Sequence, residues 1–323
     1  MNYNRFSKIP RLDKPMNKRA KLDTGKECNY NCYFCYYQGH LHEYDTYKKI
    51  IQRADKLKEL GIQEIDLSGG ESSIHKDWFK ILDYCNKNFK NVSCLSNGSK
   101  FKDFDFLKKS KEYGLSEILF SLHGYDEKSH DKIVGVQGAF RDILESIKNA
   151  QELDILVRIN CTVTSNNVNH LDKYTTIINE IKPLQLNYLP LNYWDSANNL
   201  KTQNYEKLAL AIKNSINILD KDIEINVRYI PFCFMKGYEK YVKDIPQHIY
   251  DLKDWNIAAY RYESLDSIFD IAYENRLKTY YKPKKCYKCK YFNECDGIEK
   301  QYQNIAEDIL EPYEYLEISK RFL

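Results

Sequence analysis

From about residue 20 to residue 193, short apolar runs alternate with longer amphipathic ones, and this alternation leaves the chain few folds. AKLDTG, EIDLSGG, NVSCLSNG, SEILFSLHG, ILVRINCTVT and LQLNYLPL read as strands. Between them, TYKKIIQRADKLKEL (stopping at Gly61), the stretch from Trp78 to about Asn86, FDFLKKSKEYG, AFRDILESIKNAQEL and HLDKYTTIINEIK carry apolar residues near helical spacing. A strand and a helix every ~30 residues require parallel strands joined by right-handed crossovers. Six such units predict an α/β fold, a partial (β/α)6 barrel open on one side. Residues 1–20 are basic and aperiodic and read as an extended arm. The barrel is expected over 21–230. NYEKLALAIKNSINIL then reads as a helix and IEINVRYIPF as a strand. The Tyr-rich, irregular remainder, 231–323, reads as a small appended domain.

Ten cysteines punctuate this pattern. The start of the chain lacks the apolar core of a signal peptide, and no apolar run approaches the ~18 residues of a membrane span. A cytoplasmic protein is expected, and its cysteines are then thiols or metal ligands, since disulfides are rare there. Net charge is +3 and the pI about 8.1, too mild to argue for nucleic acid. Cys28, Cys32 and Cys35 form C-x3-C-x2-C after the first strand. Three thiolates this close can hold three irons of a [4Fe–4S] cube and leave the fourth iron open to bind and reductively cleave a small molecule. The alternative is a zinc site completed by His40 or His42. Ser68-Gly69-Gly70-Glu71 ends the second strand. Its two glycines admit close backbone approach to a ligand, and its carboxylate can accept from an ammonium.

Cys28, Cys32 and Cys35, with Phe34 before the third cysteine and the GGE run one strand–helix unit later, resemble the signature of the radical S-adenosylmethionine (SAM) superfamily. The resemblance implies the same partial barrel. It implies an open iron chelating the amino and carboxylate groups of SAM, and a 5′-deoxyadenosyl radical that abstracts a hydrogen atom. It places Gly69, Gly70 and Glu71 at the methionine amino group. Asn97 ends the third strand, and Ser121-Leu122-His123-Gly124 ends the fourth, where parallel barrels put their chemistry. Alternation sets residues 119, 121 and 123 on one face. Enzymes of the superfamily often carry a similar S-L-H-G, which implies that Ser121 touches the cofactor and His123 faces the substrate. On the fifth strand the polar face is Arg158, Asn160 and Thr162. Arg158 is a candidate for the cofactor carboxylate, with Asn160 beside it as a further cofactor contact. Arg228, in IEINVRYIPF, joins His123 as a catalytic candidate. Cys85, Cys94 and Cys161 read as buried small hydrophobes.

A second site is expected near the C-terminus. Cys286, Cys289 and Cys295 read C-x2-C-x5-C, followed by Asp296-Gly297, and Cys233 follows Pro231 upstream. Four cysteines suffice for zinc or for a fully ligated [4Fe–4S] cluster. The run resembles the auxiliary-cluster domains called SPASM and twitch. A full SPASM pattern has a further cysteine at position 299, which here is Glu299, so one auxiliary cluster with Cys233 as fourth ligand is expected. Alternatively Cys233 is a hydrogen-atom donor. The expectation is therefore an enzyme with two [4Fe–4S] clusters and SAM, reduced by flavodoxin or ferredoxin. Its chemistry is oxidation or epimerisation of a small polar metabolite such as a sugar or aminocyclitol. One alternative is modification of a ribosomally made peptide, although a first strand near residue 20 leaves no N-terminal room for a ~80-residue peptide-recognition domain. A second is a non-catalytic iron–sulfur or zinc scaffold. Neither nucleic acid nor a membrane is expected as a partner.

Overall fold

A computed structural model describes residues 18–35, 37, 38, 42, 45–191, 204–242, 257–259, 269–271, 280–292, 295, 297–300 and 308–313. Most of the N-terminal arm, His40 and Asp296 lie outside them. Strands β1 (Arg19–Asp23), β2 (Glu64–Ser68), β3 (Asn91–Ser96), β4 (Leu115–Ser121), β5 (Leu156–Val163), β6 (Gln185–Pro190) and β7 (Glu224–Val227) lie side by side in chain order, all parallel. Helices α1 (Tyr47–Glu59), α2 (Trp78–Asn88), α3 (Phe104–Glu112), α4 (Glu127–Val134), α5 (Ala139–Glu152), α6 (Leu171–Ile181) and α7 (Tyr205–Ile218) fill the crossovers. This is the α/β partial barrel that the alternation requires, extended by a seventh unit, α7 and β7. A stretch that reads as irregular also joins the sheet. Strand β8 (Ile257–Ala259) pairs in parallel with β1, and β9 (Phe269–Ile271) pairs antiparallel with β8. A separate hairpin, β10 (Tyr280–Tyr281) with β11 (Ile298–Glu299), belongs to the C-terminal cysteines.

The two faces of the sheet follow from its period of two. One set of residues, including Leu22, Leu67, Cys94, Phe120, Ile159 and Cys161, is buried against helix stripes such as Ile50, Leu57, Ile81, Ile143 and Ile178. Burial of each such side chain is worth about 1.5–3 kcal/mol. Cys85, Cys94 and Cys161 belong to this core, as their sequence context implies. The opposite, inner face is polar. Arg19 on β1 reaches Glu64 (2.8 Å), Glu117 (3.1 Å) and Asp66 (3.3 Å). Arg158 on β5 pairs with Glu117 and lies 3.6 Å from Asp66. Burial pushes the Glu117 carboxyl up, but Arg158 and Arg19 outweigh it and hold it below its ordinary value. A buried ion network thus fills the lower lumen.

Helix α4 is absent from the sequence reading. EKSHDKIV is one short helix held by its start: Asp126 and Ser129 form a capping box. Its far end supports the cysteine loop.

Candidate cofactor site

The loop after β1 is fastened from two sides. On one side the strand ladder runs on past the end of β2: Thr24 donates to the Ser68 carbonyl, Gly70 to Gly25 and Glu71 to Glu27, each at 2.8 Å. A Cβ on Gly69 would stand 2.1 Å from the Gly25 oxygen, and one on Gly70 2.0 Å from the Glu27 oxygen. The missing Cβ atoms therefore admit the cysteine loop itself, which corrects the expectation of a glycine cradle for a ligand. On the other side, Asn31 and Tyr33 donate to the carbonyls of Val134 (3.0 Å) and Ile133 (3.2 Å) at the end of α4.

Within this frame N–H groups converge on sulfur. Tyr30 N donates to Cys28 Sγ and Tyr37 N to Cys35 Sγ, both at 3.4 Å, and Asn97 Nδ2 lies 3.8 Å from Cys28 Sγ. Burial, with Glu71 nearby, pushes the Cys28 thiol up to about 12, and burial raises Cys32 and Cys35 as well. Such thiols ionise when a cation takes their sulfur. Donors aimed at sulfur suit cluster thiolates. For the zinc alternative, His42 is exposed.

Glu71 is buried beside this loop. Its Oε1 accepts from the hydroxyls of Ser73 and Ser96 (2.8 Å to Ser96), and its Oε2 accepts from Asn97 N at 2.7 Å. Burial raises its pKa against these hydrogen bonds, and no cation among the described residues pairs with it. A buried carboxylate without a counter-ion fits an ammonium supplied by a ligand. Asn97 also donates to Asn29 Oδ1 at 3.0 Å, so it ties the end of β3 to the loop. Phe34 is half-buried and meets the His123 ring edge-on, 5.1 Å between centroids.

Two sequence assignments, those of Arg158 and His123, meet competing partners, and Asn160 gains one. Arg158 is committed to Glu117 and Asp66, below the strand ends, so its charge is already matched. His123 is 3% exposed and works inside the fold: its Nδ1 accepts from Thr162 N at 3.1 Å and its carbonyl from Asn167. Burial, with His130 stacked beside it, drives the imidazole down to about 3, so it is neutral. Asn160 accepts a hydrogen bond from Asn187 (2.8 Å), which accepts one from Asn226 (3.0 Å). Asn187 and Asn226 were missed because they stand alone in their motifs; only strand alternation places them on the inner face. Ser121, half-buried, sits opposite Asn160 in the sheet register. Arg228 follows β7, half-buried, its N–H continuing the ladder to Tyr188 O at 3.0 Å.

The second cysteine site forms under α7. Cys233, Cys286, Cys289 and Cys295 line one pocket with Pro231, Phe232 and Tyr291. Burial, then Cys295, Cys286 and Cys289 in turn, raise the Cys233 thiol. Cys233 thus lies beside the three cysteines that the sequence reading set with it, 53 residues away from the nearest. Gly297 N donates to Cys295 Sγ at 3.3 Å. Gly297 has φ +94°, and a Cβ there would stand 2.2 Å from Tyr281 O. Four sulfurs around an enclosed, mostly apolar cavity are compatible with an auxiliary [4Fe–4S] cluster.

Comparison with known proteins bears on the N-terminal half of the chain. Residues 23–173 match the model of the Radical SAM superfamily, the [4Fe–4S]- and SAM-using class whose signature the N-terminal cysteine motif resembles. A probable GTP 3′,8-cyclase of Saccharolobus islandicus is 30% identical over 189 residues, 55% of this chain and 59% of that one. The chain thus spans about three-fifths of the length of the curated relatives it matches. The subtilosin biosynthesis protein AlbA of Bacillus subtilis is 29% identical over 158 residues, 48% of this chain and 35% of that one. In three dimensions, Streptococcus suis SuiB bound to its precursor peptide SuiA superimposes with a TM-score of 0.63 at 15% identity, covering 87% of this chain and 71% of that one. Among the described residues, no helix is long and apolar enough to cross a membrane.

Proposed function

We propose that this chain is a radical SAM enzyme that modifies a peptide. This replaces the sugar or aminocyclitol substrate as the leading reading, because the relatives' names point to cyclase and peptide chemistry. The charge balance of the inner face supports the peptide reading over the nucleotide one. Arg19 and Arg158 are spent on Asp66 and Glu117, and Lys21 lies on the same face as Asp23. Among the described residues the lumen has no surplus of cations for a nucleoside triphosphate, which suits a neutral, amide-rich substrate. The sheet supports this too. Among the described residues its end strands β7 and β9 do not pair with each other, so the described sheet is not closed into a full barrel, which suits a substrate longer than one small molecule.

In this reading Cys28, Cys32 and Cys35 hold the SAM-binding cluster, and Cys233, Cys286, Cys289 and Cys295 the auxiliary one. When bound, the first cluster and SAM supply the 5′-deoxyadenosyl radical that abstracts a hydrogen atom. Glu71 holds the cofactor ammonium, with its second oxygen fixed by Asn97 N. Phe34 and neutral His123 pack edge to face beside the loop and help to hold its shape. His123 moves no proton in this scheme, since its Nδ1 is occupied by Thr162 N–H. Ser121 and Asn160 face the lumen beside the cofactor. The test is release of 5′-deoxyadenosine by reduced, reconstituted protein in the presence of short peptides encoded beside its gene, or of GTP. Acceleration with a modified peptide product supports the reading; acceleration by GTP alone overturns it.

A further inference from the structure

We propose that Ser121, Asn160, Asn187 and Asn226 form one substrate-binding row that takes an extended, amide-bearing segment across the lumen. The proposal rests on the peptide reading above and names what that reading leaves open, the residues that grip the substrate.

The four residues lie on one level of the sheet. Ser121 registers with Asn160, Asn160 with Asn187, and Asn187 with Asn226, across β4, β5, β6 and β7. All face the lumen by strand alternation. Three interstrand steps of ~4.8 Å make the row roughly 14 Å long, and about four residues of extended chain span that length at ~3.4 Å each. The side chains form a directed ladder. Asn226 Nδ2 donates to Asn187 Oδ1, and Asn187 Nδ2 donates to Asn160 Oδ1.

A ladder that served only to tie the strands together would have no reason to end as this one does. The backbone already pairs β5, β6 and β7. Yet Asn226 is 5% exposed and its Oδ1 is buried without a hydrogen-bond partner. Reversing all three amides keeps the ladder and leaves a buried donor at the same end. Either way a buried polar atom of Asn226 faces the lumen unmatched, which is a net cost unless something binds there. At the other end the Asn160 amino group and the Ser121 hydroxyl make no hydrogen bond to the described protein, and both residues are half-buried.

The chemistry of the row selects an amide. Each carboxamide offers donors and acceptors but no charge. The level beneath carries the charges, Arg158 in register with Gln185 and then Glu224, and Arg158 is matched by Glu117. A peptide backbone alternates donor and acceptor as the row does. Two residues past Asn160, Thr162 N is held by His123, and His123 meets Phe34 of the cysteine loop. The β5 end of the row is thus linked to the cysteine loop through Thr162, His123 and Phe34.

The experiment uses reconstituted holoprotein with SAM and a capped probe, N-acetyl-tetraalanine N-methylamide, whose binding is read by ligand-observed NMR. GTP is the competing probe. Asn226→Leu keeps the volume and removes the amide; Ser121→Ala and Asn160→Ala cover the case that it fails to fold, and iron content with the melting temperature monitors folding. The row predicts that the wild type binds the peptide probe and that folded Asn226→Leu, or the Ser121→Ala/Asn160→Ala pair, binds it about tenfold more weakly. Equal binding by wild type and variants overturns the row while leaving the peptide reading intact. A wild type that binds GTP and no peptide probe overturns both.

Discussion

The loop that carries Cys28, Cys32 and Cys35 is tied by backbone hydrogen bonds to β2 on one side and α4 on the other, so its shape is set before any metal arrives. The site of Cys233, Cys286, Cys289 and Cys295 rests on short turns, a two-residue hairpin and ring contacts. Phe232 stacks on Tyr291 at 4.7 Å, and Tyr291 meets Tyr313 edge-on at 5.0 Å. The first site offers three sulfurs and, beside them, a buried carboxylate lacking a cation. The second offers four sulfurs in an enclosed cavity. The contrast suggests a division of labour: a preformed, open site for a reacting ligand, and a closed site in which the cluster itself completes the fold.

The largest expected effect separates the two sites outright. Replacing Cys28, Cys32 and Cys35 together with Ala should abolish 5′-deoxyadenosine release. It should remove about four of about eight irons per chain, leaving the C-terminal cluster. Loss of all iron would mean that the sites are not independent.

The two glycine positions provide a crossed test of the same contrast. Gly70→Ala drives a Cβ into the backbone of the cysteine loop, whereas Gly297→Ala strains the C-terminal turn. Strain of about 1–3 kcal/mol at each position predicts about a 5- to 150-fold loss of cluster retention. Gly70→Ala should lose N-terminal iron and Gly297→Ala C-terminal iron, as read by iron analysis and electron paramagnetic resonance. Identical spectra for the two variants would remove the distinction.

Glu71→Gln should weaken SAM binding by about tenfold or more, the scale of one charge-assisted hydrogen bond. The same change should raise the melting temperature of the cofactor-free protein at pH 7. Burial raises the Glu71 pKa, so the folded state binds a proton more tightly than the unfolded one, and stability falls as pH rises from about 4.5 through the folded value. Glutamine removes that loss. Unchanged SAM affinity would take Glu71 out of the site.

A further expected effect is a pH dependence confined to the N-terminal region. Burial lowers His130 to about 4, and its Nε2 has no partner. An ordinary imidazole titrates near 6.5. The stability that comes from keeping His130 neutral is complete above about 6.5 and is lost as pH falls towards 4, on the order of 3 kcal/mol. His123 adds to the same slope. Hydrogen exchange from pH 7 to 4.5 should therefore show α4 and the cysteine loop opening before the C-terminal turns, and His130→Asn should flatten the slope. Simultaneous opening would place the weak point elsewhere.

The residues explain how much of this could be read from the sequence. The strand–helix alternation exposed the barrel because each strand's apolar run and each helix's stripe report a two-faced layer directly. The cysteine spacings exposed both sites because ligands of one cluster keep short separations, and Cys233 was reachable by elimination among the remaining thiols. Helix α4 was hidden because EKSHDKIV is mostly polar and is defined by its cap. The role of Gly69 and Gly70 was hidden because the same lack of Cβ serves a ligand or a neighbouring backbone equally well. Arg158 looked available because its partners, Glu117 and Asp66, lie on other strands, 41 and 92 residues away in sequence, and only the sheet register brings them together. Strand β8 was hidden because its pairing with β1 spans more than 230 residues and its own run is three residues long.

The most direct test of the account is a SAM titration of the reduced protein followed by electron paramagnetic resonance. Three sulfurs leave one iron of the N-terminal cluster open, and four saturate the C-terminal one. Only the signal missing from the Cys28/Cys32/Cys35→Ala variant should shift on adding SAM, and Cys233→Ala should alter the other signal without SAM. A C-terminal signal that responds to SAM, or one untouched by Cys233→Ala, would contradict the assignment of one open and one closed site.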